Sequence, residues 1–219
     1  MPILPRLLLY LVPMPRAPST TAVPQTSSQG ALYSLRQRAT WWISLLGLMW
    51  LVELANMLEG HVFHTWGILP RTQVGLRGVL FGPFLHASPE HLALNTLPLA
   101  VMAWLVLTHG PWAFVRVTAT VMLISGLGVW GLARDYYHIG ASGLVLGYFG
   151  FLIANAFLER SWNSILLAAL ALLLYGGLIV TVLPGANEVS WESHLAGLLA
   201  GVVAAMIGGG RKRAGRVAA

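Results

Sequence analysis

The sequence predicts an all-α, polytopic membrane protein built as a bundle of six transmembrane helices, and three observations predict it. First, 9% of the 219 residues are charged and 57% are hydrophobic, whereas an ordinary soluble domain carries about 25% charged residues. So few charges cannot clothe a soluble globule, and the mean hydropathy of +0.72 agrees. Second, six windows approach the length of about 20 mostly apolar residues that a spanning helix needs. Third, the 13 basic residues flank those windows instead of forming a stripe. The net charge of +6 and the pI near 10.3 therefore speak for membrane orientation and against nucleic acid as a partner.

Taken in order, residues 1–40 are expected to be a cytoplasmic N-terminal segment, largely flexible. The apolar stretch 7–12 is too short to span and is hemmed by Pro5, Pro13 and Pro15. It has no small-residue cleavage site after a longer apolar core, so it makes a poor secretory signal. Residues 18–30, rich in Ser, Thr, Pro and Gln, read as a linker. The membrane domain is expected over 41–209, with spans near 41–58, 91–109, 112–133, 142–158, 163–183 and 192–209, followed by a basic cytoplasmic tail over 210–219. The connection 60–90 is longer than a bundle loop needs. It carries Trp66, Leu69, Leu76, Val79, Leu80, Phe81 and Phe84, so it is expected to lie half-sunk in the outer leaflet as short interfacial helices; a loop merely packed on the bundle is the alternative. Trp41, Trp42, Trp66, Trp112, Tyr136, Tyr137, Trp162 and Trp191, at span ends, read as interfacial anchors.

Six spans put both termini on one side. Arg6, Arg16, Arg36 and Arg38 precede the first span, Arg211, Lys212, Arg213 and Arg216 follow the last, and Arg116 and Arg160 lie in turns on the same side. Arg71, Arg77 and Arg134 lie opposite. This imbalance predicts cytoplasmic termini.

Several chemistries are excluded at once. The chain has no cysteine, so thiolate nucleophiles, thiolate metal sites and disulfides are out. Asp135 is its one aspartate, so two aspartates cannot share a proton. Lys212, its one lysine, sits in the basic tail, far from forming a buried Ser–Lys dyad. The helical zinc signature HExxH is missing.

Polar residues within a membrane are costly, and each is a functional candidate. Four fall at matching depth: His91 and Asn95 at the start of the second span, Ser142 at the start of the fourth, and His194 at the start of the sixth. These three spans all begin on the non-cytoplasmic side, a coincidence independent of the Lys and Arg count. Such groups allow acyl transfer. A serine needs a base to become a nucleophile, and histidine is the usual one. Ser142 at a helix N-terminus has unpaired backbone N–H groups nearby that favour a developing oxyanion. His91 and Asn95, four residues apart, share a helix face and can aim donors at one point. Glu192, two residues from His194, is on the wrong face to orient it, so a Ser142–His194 dyad is the economical reading. Gly143 and Gly147, and Gly197 and Gly201, stand four apart directly behind the two candidates; small residues at that spacing let membrane helices approach closely.

The pieces Phe84-Leu85-His86-Ala87-Ser88-Pro89-Glu90-His91-Leu92-Ala93-Leu94-Asn95, His138-Ile139-Gly140-Ala141-Ser142-Gly143 and His194-Leu195-Ala196-Gly197-Leu198-Leu199-Ala200-Gly201 together resemble the rhomboid intramembrane serine proteases in their six-helix bacterial form. The resemblance covers about residues 40–209. It implies Ser142 as nucleophile, His194 as general base and His91 with Asn95 around the oxyanion, with Gly140, Gly143, Gly147, Gly197 and Gly201 packing at the site. It also implies substrates that are transmembrane segments of other proteins, cut near the outer face of the bacterial inner membrane. Lipids are the surrounding partners, and no cofactor or metal is needed. Two departures stand out. Many members place an aromatic ring one turn after the nucleophile, stacked on the histidine, where this chain has Leu146; another group must steady His194, or it is looser. The Trp-Arg pair that some members carry in the first loop is missing.

Blander readings stand beside these. GxSxG, the soluble hydrolase elbow, fails because position 144 is Leu. His86 and His138 read as structural or wetted groups beside the site, and a four-histidine metal site with His91 and His194 is the outlying alternative. Glu53, inside the first span, reads as a hydrogen-bonded carboxyl facing the bundle, with a proton relay as the sharper alternative. The fifth span is Leu-rich, carries no catalytic candidate and is expected to be the lateral gate, as the resemblance also implies. The alternative function is a catalytically silent relative that binds transmembrane helices, against which both Ser142 and His194 speak. A small transporter would show internal repeats and helices broken at midplane, and no repeat is evident.

Overall fold

The computed structural model describes residues 28–185 and 190–217. The stretch 7–12, Arg6, Arg16 and most of the expected linker lie outside the described residues. Among the described residues there is no strand, and the architecture is helical: α1 (Ser28–Leu58), α2 (Gly78–Phe81), α3 (Pro89–Leu107), α4 (Pro111–Leu132), α5 (Ser142–Glu159), α6 (Trp162–Tyr175) and α7 (Trp191–Val217). Six segments are long and apolar enough to cross a membrane: Ser34–Leu58, Pro89–Leu107, Pro111–Leu132, Ser142–Glu159, Trp162–Val182 and Trp191–Gly208. The chain is therefore a multi-pass membrane protein of the six-helix class that its hydropathy predicts.

Helix extends beyond the expected spans at both ends of the described residues. The segment 1–40, expected to be largely flexible, is helical from Ser28 onward. Positions 28–40 hold no proline and carry Ala, Leu, Gln and Arg, all good helix formers, but their Ser, Thr, Gln and Arg keep them out of a hydropathy window. Likewise α7 runs past position 209 to Val217, through three consecutive glycines. Elsewhere local chemistry sets the boundaries. Ser88 caps α3, its hydroxyl accepting from the His91 N–H at 3.2 Å, with Pro89 in the first turn. Ser161 caps α6 in the same way through the Ser164 N–H. The fifth span is not one regular helix: α6 ends at Tyr175 and the segment Gly176–Val182 tightens into a 3₁₀ turn.

α5 is the innermost span, with 61% of its apolar window buried, and α6 the outermost, with 17%. The core of the bundle gathers Leu92, Leu99, Met102, Val121, Tyr148 and Phe149 around α5. The tightest seam lies between α5 and α7. A Cβ on Gly197 would fall 2.2 Å from the Gly143 carbonyl oxygen, and one on Gly201 would fall 1.9 Å from that of Gly147. Backbone meets backbone there, and no side chain fits between. α1 is pinned to α3 by Trp42, whose Nε1–H donates to the Ala100 carbonyl at 2.7 Å. Trp42 is thus a helix-to-helix tie, whereas Trp112 and Trp162 stay exposed as anchors would.

The connection 60–90 does fold into short helices, Val62–Trp66, Val74–Arg77, α2 and Gly82–Phe84. One side packs on α4, where Val79 sits against Gly126. The other leaves Val62, Trp66, Val74, Leu76, Leu80 and Phe81 exposed, an apolar surface suited to the membrane interface. The connection is thus packed on the bundle along one face and apolar and exposed along the other.

Candidate active site

The starts of α3, α5 and α7 and the end of the 176–182 turn enclose a cleft of about 570 Å³. His91, Asn95, Ser142 and His194 all line it, together with Leu146, Leu178 and Thr181. The four residues singled out from the sequence thus share one cavity, as their common depth requires.

Ser142 is the first residue of α5 and is half-buried. Its own N–H is among those with no acceptor inside the helix. Two tethers fix the turn before it. The Gly140 N–H donates to the Gly82 carbonyl at 3.0 Å, and the Ala141 N–H donates to His86 Nε2 at 3.2 Å. Gly140 has φ +115°, and a Cβ there would lie 3.1 Å from the His91 ring and 4.0 Å from Ser142 Oγ. Glycine is required at this position twice over, for its backbone and for the space it leaves between His91 and Ser142.

His91 Nδ1 accepts from the Ala87 N–H at 3.4 Å, so in the neutral ring the proton sits on Nε2, the nitrogen beside Gly140. Asn95, 9% exposed, donates one amide N–H to the His91 carbonyl at 2.9 Å. Its second N–H remains for the cleft.

His194 is buried at 6% exposure. Its Nδ1 lies 2.8 Å from Thr181 Oγ1 and 3.2 Å from the Thr181 carbonyl oxygen. No hydrogen bond joins Ser142 to His194 among the described residues, although both face the same cleft. Catalytic hydrogen bonds are often loose before a substrate is bound. Leu146, in the place of an aromatic ring, is buried beside them.

The supporting histidines are both dry. His86 is fully buried, edge-on to the His91 ring at 5.1 Å between centroids. Burial first, and the neighbouring His91 second, push its pKa down to about 3, so it serves as a neutral acceptor for the Ala141 N–H. His138 donates from Nε2 to the Arg134 carbonyl at 2.9 Å and meets Ser190 Oγ through Nδ1 at 2.6 Å. Burial lowers its pKa as well. Its backbone pairs with Ile68 in an isolated bridge, which ties the 60–90 connection to the entry of α5. Neither is a wetted group. Among the described residues no three His, Asp or Glu side chains gather as a metal site would need.

Glu53 is 1% exposed and faces the bundle, with Asn56 Nδ2 donating to it at 3.3 Å. The same amide donates to the His86 carbonyl, and Asn56 Oδ1 accepts from the Phe63 N–H. The pair therefore fastens the connection to α1. Glu192, two residues before His194, pairs with Arg134 instead, accepting from Nη2 at 3.1 Å. This hydrogen bond raises the Arg134 pKa and holds the loop before α5 to the start of α7.

Thr181 escaped the sequence reading. Its signal was weak: one hydroxyl in the aliphatic run 178–183, reached only because the 3₁₀ turn swings that run over α7.

The comparisons with known proteins bear on the same region. The sequence model of the Rhomboid domain matches residues 73–211, which include every residue lining the cleft. Uncharacterized proteins of Mycobacterium tuberculosis and Mycobacterium bovis are 38% identical over 175 residues, spanning 75% of this chain and 72% of theirs. An uncharacterized protein of Mycobacterium leprae is 37% identical over 176 residues, 75% of this chain and 69% of its own.

Proposed function

The chain belongs to the rhomboid family, and from that premise we propose that it is an intramembrane serine endopeptidase that cuts transmembrane segments of other membrane proteins. The observation that carries this reading is the single cleft onto which α3, α5 and α7 direct His91, Asn95, Ser142 and His194. Ser142 Oγ attacks the carbonyl carbon of the scissile peptide while its proton passes to His194 Nε2. The carbonyl oxygen becomes an oxyanion, received by the His91 Nε2–H, the second Asn95 amide N–H and the Ser142 N–H. The C–N bond then breaks as His194 gives the proton to the departing amine. Water repeats the sequence on the acyl-enzyme and releases the new carboxylate.

The cleft lies where the three helices begin, and the basic residues cluster at the opposite ends. Cleavage therefore occurs near the outer face of a bacterial inner membrane, with both termini in the cytoplasm. Substrate enters from the lipid between helices, and α6 is the lateral gate.

The missing hydrogen bond between Ser142 and His194 is what favours the other reading, a silent member that binds transmembrane helices without cutting them. Labelling with a fluorophosphonate, which reacts with activated serines, separates the two. The detergent-solubilised protein is expected to label at Ser142, and Ser142→Ala and His194→Ala are expected to lose the label. Labelling of His194→Ala at the wild-type rate would remove the dyad, and an unlabelled wild type would leave the silent binder.

A further inference from the structure

We propose that Thr181 is the positioning residue of the active site: it fixes the tautomer and orientation of His194 from the 3₁₀ segment that ends the fifth span. This rests on the protease reading above.

The hydrogen bonds around Thr181 leave little freedom. Its hydroxyl donates to the Leu178 carbonyl at 2.6 Å, so Oγ1 faces His194 with lone pairs alone. The second contact of His194 Nδ1 is the Thr181 carbonyl oxygen at 3.2 Å, which can only accept. Both partners demand a proton on Nδ1, shared between them. In the neutral ring Nε2 is then left with its lone pair, the form a general base needs to take the Ser142 proton. Side chain and main chain of one residue thus do for His194 what a carboxylate does in a three-membered site. The position is the more telling because Leu146 cannot stack on the imidazole as an aromatic ring would.

Thr181 belongs to neither of the helices that carry the dyad. It closes the 3₁₀ segment Gly176–Val182 at the end of the fifth span, the least covered span of the bundle. Leu178, which accepts the threonine proton, lines the same cleft. The base is therefore set correctly only while this segment is seated against α7.

The test uses the full-length protein in one detergent with three variants. Thr181→Val keeps the shape and the carbonyl but removes Oγ1; Thr181→Ser restores the hydroxyl; His194→Ala assigns the ring signals. Losing half of a shared hydrogen bond should slow fluorophosphonate labelling of Ser142 by roughly three- to tenfold, with Thr181→Ser near the wild-type rate. In ¹⁵N-histidine NMR spectra, His194 should show a protonated Nδ1 in the wild type and in Thr181→Ser, and a mixture of tautomers in Thr181→Val. Wild-type labelling by Thr181→Val, or no rescue by serine, would overturn the assignment. If the wild type does not label at all, the protease reading fails, while the tautomer comparison still decides the role of Thr181.

Discussion

Asn95 commits one amide proton to its own helix; in the mechanism proposed above, the other serves charge that appears on the substrate carbonyl only in the transition state. Losing such a donor typically costs about 10²–10³ in kcat. The His91 ring and the Ser142 N–H cover part of the loss, so Asn95→Ala is expected at or below the low end of that range, with KM within about threefold. Measuring kcat, KM and melting temperature in one detergent checks it. A rate loss matched by a fall in melting temperature would make Asn95 a structural residue. At this scale, legibility followed local sequence. Ser142, His194, His91 and Asn95 could be read because polar residues at span starts are anomalous in lipid and sit in recognisable strings. Thr181 could not, since its role comes from a contact across thirteen positions and a lone threonine in an aliphatic run carries no signal. For His86 and His138, read as structural or wetted groups, burial decides for the structural alternative; the sequence left both open because burial depends on contacts between distant segments.

Among the elements, α6 is the proposed gate. It is the least enclosed span, and its inward face rests on few large side chains. Leu172 is 50% exposed and holds little, whereas Leu167 is 8% exposed and packs into the core. Leu167→Ala removes a buried side chain, a change that costs about 2–5 kcal/mol where the site cannot collapse. The variant is expected to cleave a transmembrane substrate faster relative to a small soluble ester, because only the bulky substrate must pass between helices. An equal change for both would argue against gating by α6. Hydropathy windows found all six spans because lipid imposes length and composition on them. They missed the start of α1 at Ser28, where helix propensity without apolarity governs, and the change to 3₁₀ geometry at Gly176, which is set by packing over α7.

For the whole molecule, the distribution of Lys and Arg predicts the orientation. Reporter fusions after Arg160 and Arg211 are expected to report cytoplasm, and one near Gly185 the periplasm. A periplasmic signal at Arg211 would break the even span count and move the cleft to the other face. The glycine contacts between α5 and α7 have a mechanical consequence for this arrangement. Where helices touch through side chains, rotamers can absorb a tilt or a slide of one helix past the other. Gly143 against Gly197 and Gly147 against Gly201 leave no such cushion. The spacing of Ser142 and His194 is therefore set by the rigid dimensions of two peptide backbones. A bilayer too thick or too thin for the bundle must tilt the outer spans, and the deformation will be taken up by α6 and the 60–90 connection long before it reaches the pair of helices that hold Ser142 and His194.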